Sequence, residues 1–139
     1  MTRLVHKPAA FRGACEAARK TSKRVGLVPT MGALHAGHHS LIDAAHERAD
    51  FVAATVFVNP LQFAEGEDLT RYPKTLDQDM EACRARGVDV VFAPDANAMY
   101  PEGFQTQVTV NELCQPLEGA FRSTHFQGCL LYTSPSPRD

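Results

Sequence analysis

One run of eight residues constrains this chain more than any other: FVAATVFV, residues 51–58. It is apolar on both faces and rich in β-branched and aromatic residues. A strand of that kind has to be covered on both sides, which is the condition of a central strand in a parallel sheet. Two shorter runs share the character, VGLVP (25–29) and VDVVFAP (88–94). Between them the period changes to that of a helix.

Pro8 opens a stretch with Ala10, Phe11, Ala14, Cys15 and Ala18 on one side. Residues 38–48 form a second helix, with Leu34, Leu41, Ile42, Ala45 and Ala49 sharing a face. The third begins where Thr75 and Gln78 fit a capping box, with Asp77 and Asp79 in the first turn. It carries Leu76, Met80 and Cys83 on one side and ends at Gly87. Residues 3–6 read as a short strand, 95–99 as a helical turn, QVTV (107–110) as a strand, and Asn111 as the start of a short helix. The order β-α-β-α-β-α-β predicts an α/β fold with a parallel sheet and helices on both faces. Ligands of such sheets bind beyond the carboxyl ends of the strands.

Composition excludes several classes. At 44% hydrophobic and 22% charged, 139 residues suit a globular domain rather than a disordered one. No apolar run approaches a membrane span, and the first residues lack the apolar stretch of an export signal. The expectation is therefore a cytoplasmic protein without a membrane partner. Fourteen basic and sixteen acidic residues give −2, which sets no expectation of nucleic acid. Residues 1–24 do carry seven Lys or Arg against Glu16 alone. A solvated helix face accounts for them better than a polyanion partner. Cys15, Cys83, Cys114 and Cys129 have long, irregular gaps and no CxxC pair, so neither a disulfide framework nor a cysteine zinc site is expected.

Three segments carry chemistry. His35-Ala36-Gly37-His38 follows the first core strand and opens the next helix. A helix N-terminus offers unpaired N–H groups and partial positive charge, and a glycine there lets a ligand approach. Two imidazoles add hydrogen bonds for phosphate oxygens. A zinc pair at this i, i+3 spacing is the competing reading, but no third ligand stands at metal spacing. Incidental surface histidines are the other, although four of the six histidines lie within 35–46. Asn59 and Gln62, after the central strand, are amides where a ligand would lie. From the residues alone, Asn59 capping its own turn before Pro60 explains them better. Arg122 to Phe126 (RSTHF) reads as a polar loop without an assigned function.

The ordered set PTMGALHxGH (29–38), FVNPxQF (57–63), Tyr72-Pro73, Met99-Tyr100-Pro101, Leu117-Glu118-Gly119 and THFxG (124–128) resembles the pantothenate synthetase (pantoate–β-alanine ligase) family. HxGH alone is shared by many nucleotidyltransferases. The resemblance implies a Rossmann-like nucleotidyltransferase domain. It implies that ATP and pantoate react with Mg²⁺ to give pantoyl adenylate and pyrophosphate, and that β-alanine then displaces AMP to form pantothenate. It places ATP on Met31, Gly32, Ala33, Leu34, His35, Gly37 and His38, with His38 catalytic. It places pantoate and β-alanine on Gln62, with Asn59 and Met31 shaping the pocket, and assigns no protein-held metal. A homodimer is implied for the full-length protein.

Family members run to about twice this length, with a Lys-bearing GEKD loop and a Ser-Arg segment further on. Residues 1–128 are therefore expected to form a partial ATP- and pantoate-binding domain. Residues 129–139, where Pro135 and Pro137 forbid a continuing helix, are expected to be a foreign or disordered tail. Such a truncated chain is expected to be inactive alone, leaving a non-catalytic or folding-defective nucleotide-binding fragment as the alternative. Another HxGH nucleotidyltransferase is a further alternative, disfavoured by the PTMGAL that precedes HAGH.

Overall fold

The computed structural model describes residues 1–63, 75–121 and 125–133. The chain divides into two compact units, Met1–Val58 with Pro73–Pro101, and Asn59–Tyr72 with Glu102–Asp139.

The first unit holds a four-stranded parallel sheet in the order β1-β4-β3-β2. The strands are β1 (Arg3–Val5), β2 (Val25–Thr30), β3 (Phe51–Val56) and β4 (Val90–Phe92). The connecting helices are α1 (Pro8–Lys20), α2 (Ala36–His46) and α3 (Leu76–Ala85), and α4 (Ala96–Met99) follows β4. This is the alternation the apolar runs predict.

Both faces of the sheet are covered. Ile42 of α2 and Met80 and Cys83 of α3 pack with Val28, Val52, Ala54 and Val91 on one side. Ala14 and Cys15 of α1 pack with Val5, Ala53, Val90 and Phe92 on the other. Neighbours on β3 thus point to opposite layers, which is why FVAATV is apolar at every position but Thr55. Phe11 stacks on Phe92 with ring centroids 4.7 Å apart.

Several boundaries differ from expectation. β3 ends at Val56, and α2 begins at Ala36 rather than His38. Thr75 precedes α3 but makes no side-chain cap, so the Thr75–Gln78 capping box does not form. The Thr75 hydroxyl is held elsewhere, by Asp79 and the Ala33 N–H. Gly87 follows α3 at φ +71°, as its position predicts.

In the second unit, Pro60–Gln62 forms a 3₁₀ turn capped by Asn59, and α5 (Glu118–Phe121) and α6 (His125–Thr133) follow in the chain. QVTV is not a strand. Its residues are exposed apart from half-buried Val108, and β propensity needs a neighbouring surface to act on. The expected helix at Asn111 is a turn, with the Cys114 N–H bonded to the Val110 carbonyl. Helix α6 passes Gly128 and runs to Thr133. The prolines at 135 and 137 lie beyond its last residue, so they do not break it. Residues 134–139 lie outside the described residues, as do residues 64–74, which include Tyr72-Pro73, and Arg122 and Thr124.

Candidate active site at the start of helix α2

The chain leaves β2 through a turn fixed by Thr30. This side chain is buried, and its hydroxyl donates to the Thr55 carbonyl at 2.6 Å and accepts from the Gly32 N–H at 3.1 Å. Two residues in left-handed conformation follow, Gly32 at φ +88° and Ala33 at φ +52°. A left-handed alanine costs about 1–2 kcal/mol, so something must hold it there.

That restraint is Asp79 on α3. It is 3% exposed. One carboxylate oxygen accepts from the Ala33 N–H at 3.0 Å and from the Thr75 hydroxyl at 3.0 Å. The other accepts from the Leu34 N–H at 2.8 Å. A Cβ on Gly32 would stand 3.0 Å from the Asp79 oxygen and 3.0 Å from Val56. Gly32 therefore serves the carboxylate's approach as well as the positive φ. Leu34 packs against the core cluster that Ile42 of α2 and Met80 and Cys83 of α3 share with the sheet.

His35 is the N-cap of α2, and His38 is the third residue of its first turn. The two imidazoles form a reciprocal capping box. The Gly37 N–H donates to His35 Nδ1 at 3.1 Å, and the His35 N–H donates to His38 Nδ1 at 3.3 Å. Their ring centroids are 4.1 Å apart. A Ser/Thr-x-x-Glu/Gln box satisfies the same orphan donors with oxygens; here nitrogens do it. An Nδ1 that accepts carries no proton, so both neutral rings have theirs on Nε2. Each ring then presents an Nε2–H donor at a helix N-terminus, where the dipole favours anions. Burial lowers the proton affinity of His38, with His35 and then His39 adding to the effect and Asp79 opposing it. At neutral pH His38 is a neutral hydrogen-bond donor.

The box also changes the standing of the i, i+3 spacing. It is the geometry of a cap, which takes the Nδ1 atom of each ring. Among the described residues no group of three or more His, Cys, Asp or Glu comes together to hold a metal.

The predicted site residues fall into two groups. Met31, Gly32, Ala33, Leu34, His35, Gly37 and His38 all lie in the first unit, on one turn and the helix start it leads to. Within that group the Ala33 and Leu34 N–H groups are committed to Asp79. Asn59 and Gln62 lie in the second unit. Asn59 is 1% exposed. Its carbonyl oxygen accepts from the Leu61 N–H at 3.0 Å, and its amide nitrogen donates to the Gly128 carbonyl at 3.1 Å. Those bonds make it a cap, as the self-capped turn before Pro60 suggests, and a tie to α6. Gln62 is half-buried, and its backbone carbonyl accepts from His125 Nδ1 at 2.8 Å. A Cβ at Gly128 would lie 2.6 Å from the Leu61 carbonyl carbon and 2.9 Å from the Gln62 nitrogen. The glycine of THFxG is thus the point where α6 meets the 3₁₀ turn.

Sequence reading misses the parts played by Asp79 and Thr75. The place of Asp79 in a first turn suggests the helix dipole, yet it stands on the same stripe as Leu76, Met80 and Cys83. A carboxylate on a buried stripe needs partners, and that is the signal the sequence offers.

The sequence profile of the pantoate-beta-alanine ligase family matches residues 3–133. A pantothenate synthetase of Aquifex aeolicus is 53% identical over 110 residues, covering 79% of this chain and 39% of that protein. One from Nocardia farcinica is 50% identical over 125 residues, covering 90% and 39%. The crystal structure of pantothenate synthetase from Thermus thermophilus superposes with a TM-score of 0.84 at 45% identity, over 96% of this chain and 49% of that one. The pantoate-beta-alanine ligase of Francisella tularensis, complexed with beta-gamma ATP and beta-alanine, gives 0.86 at 37% identity, over 94% and 50%. This chain therefore spans about two fifths of the length of the curated relatives it matches, and half of the solved chains. Its parallel sheet is the Rossmann-like nucleotidyltransferase fold of these neighbours, and the chain belongs to the pantoate-beta-alanine ligase family.

Proposed function

We propose that this chain supplies the nucleotide-handling part of a pantothenate synthetase, which condenses pantoate with β-alanine through pantoyl adenylate and releases pyrophosphate and AMP. The observation that carries this reading is the histidine capping box at the start of α2, with two Nε2–H donors held by their own backbone. A carboxylate oxygen attacking the α-phosphorus of ATP builds negative charge on the phosphoryl oxygens. Preorganised donors stabilise that charge without reorganising when it forms. His38 is proposed as the catalytic donor, because its ring is the more buried of the two and its charged form is disfavoured. His35, Gly37 and the 31–34 turn are proposed to seat the nucleotide. Ala33 and Leu34 would do so through groups other than their N–H.

Gln62 is proposed to contact pantoate and β-alanine. Asn59 would act by fixing the 3₁₀ turn that carries Gln62, and Met31, half-buried, is proposed as a further substrate contact. Adenylation turns the carboxylate's poor leaving group into AMP. β-Alanine nitrogen then attacks the acyl carbon, and the C–O bond to AMP breaks. Mg²⁺ would come with the nucleotide's phosphates, since the described carboxylates do not gather into a metal site. Residues 31–40 contain no Lys or Arg, so cations for the triphosphate belong to other segments. Assayed as a separate polypeptide, the 139 residues are expected to give no pantothenate above background. A cytoplasmic homodimer is proposed for the full-length protein. No helix among the described residues is long and apolar enough to cross a membrane.

The test is single-turnover adenylate formation by His38→Ala in a full-length counterpart. Loss of an oxyanion-type donor predicts a rate lower by about 10²–10³. An unchanged rate removes His38 from the chemistry.

A further inference from the structure

We infer that Asp79, together with Thr75, is the positioning residue of the histidine segment: its buried carboxylate grips the Ala33 and Leu34 N–H groups and thereby sets where His35 and His38 stand. The inference rests on the proposed role of His38 for its kinetic arm only.

Gly32 and Ala33 are both left-handed, and the turn they form aims the N–H groups of Ala33 and Leu34 at one carboxylate of the chain, at 3.0 and 2.8 Å. Thr75 donates to the same carboxylate at 3.0 Å while accepting from the Ala33 N–H at 3.1 Å. With the carboxylate gone, the part-buried Leu34 N–H loses its acceptor, the Ala33 N–H keeps only the Thr75 hydroxyl, and the left-handed alanine loses a restraint. The Leu34 carbonyl leads directly into the His35 N–H, which is the donor to His38 Nδ1. A shift of the turn is therefore a shift of the capping box.

The PTMGALH segment then has two parts with different jobs. In Thr30 to Leu34 the N–H groups of Ala33 and Leu34 are taken by the protein's own carboxylate. In His35 to His38 the Nε2–H donors are left for a ligand. Gly32 is small because a carboxylate approaches it, as the 3.0 Å distance to Asp79 requires.

The test uses Asp79→Asn in a full-length counterpart, with Val88→Ala as a control. Val88 is buried in the core after α3, and none of the hydrogen bonds that hold the turn to Asp79 and Thr75 involves it. Asparagine keeps the shape but offers one acceptor where two N–H groups need two. Displacements on the order of 1 Å cost catalysis about 10²-fold. The expected result is adenylation kcat lower by about 10- to 100-fold with a smaller change in the KM for ATP, while Val88→Ala keeps its kcat at a temperature where both are folded. The second arm is independent of activity. Imidazole ¹⁵N NMR follows the titration of His38, whose charged and titratable neighbours are His35, His39 and Asp79. Asp79→Asn should lower the pH at which His38 protonates and weaken the hydrogen bond to its Nδ1; Val88→Ala should do neither. Unchanged kcat together with an unchanged His38 titration overturns the inference. A fall in kcat matched by Val88→Ala at equal stability loss also overturns it, assigning Asp79 to structure alone. If the unsubstituted counterpart makes no adenylate, the proposed function fails, and the NMR arm still decides the role of Asp79.

Discussion

Replacing both histidines with the residues of an ordinary capping box separates what they do for the helix from what they do for a ligand. The His35→Ser, His38→Glu pair keeps an acceptor for each orphan N–H. The His35→Ala, His38→Ala pair keeps neither. Two bonds are at stake, at 3.1 and 3.3 Å, both near solvent where water takes over part of the lost interaction. A cap of this kind contributes about 0.5–2 kcal/mol. The alanine pair should therefore lose about 1–2 kcal/mol. The Ser/Glu pair should match the parent within about 0.5 kcal/mol, because a carboxylate in the first turn adds about 0.3–1 kcal/mol with the helix dipole. Urea denaturation of a full-length counterpart reads both through the shift in midpoint. Adenylation should collapse in both pairs, since neither retains an Nε2–H. A Ser/Glu pair as unstable as the alanine pair would refute the capping role. A Ser/Glu pair that adenylates normally would refute the need for imidazole.

Gly128→Ala pushes a methyl against the Leu61 and Gln62 backbone, which cannot rotate away. Overpacking typically costs about 1–3 kcal/mol, and KM for pantoate should rise in a full-length counterpart if Gln62 contacts it; a neutral effect on stability and KM would contradict the close approach. The pH dependence has a definite sign. His38 binds a proton less readily folded than at its ordinary value of 6.5, so the unfolded chain takes up more protons just below that pH. Stability is then fully present above about pH 6.5 and falls as pH drops below it, while His38→Gln, with no titrating group at that position, should flatten this slope in urea midpoints measured across pH.

Much of the fold is legible in the sequence because burial on two faces leaves a clear mark. FVAATV and VVF are apolar without alternation, and each becomes an inner strand of the sheet. QVTV carries β-branched residues but no surface to pack on, so local preference misleads there. The helix start at Ala36 is hidden by Gly37, which lowers helix preference, and by a cap made of histidine rather than Ser, Thr, Asp or Asn. For the same reason the i, i+3 histidine spacing suggests a metal pair before a cap. Asp79 is the instructive miss. Its partners are backbone N–H groups 45 and 46 residues earlier in the chain, and backbone donors leave no trace in side-chain identity. Asn59 shows the opposite case, where the local reading of a self-capped turn before proline describes what its amide does.

The family member carrying this segment is proposed to transfer a nucleotidyl group to the pantoate carboxylate. Pantoate labelled with ¹⁸O in both carboxylate oxygens tests it in a single turnover of a full-length counterpart with ATP and β-alanine. Attack of that carboxylate on the α-phosphorus, followed by attack of the amine on the acyl carbon, leaves one label in AMP and one in pantothenate. AMP free of label, with the ¹⁸O instead in inorganic phosphate or water, would contradict the account.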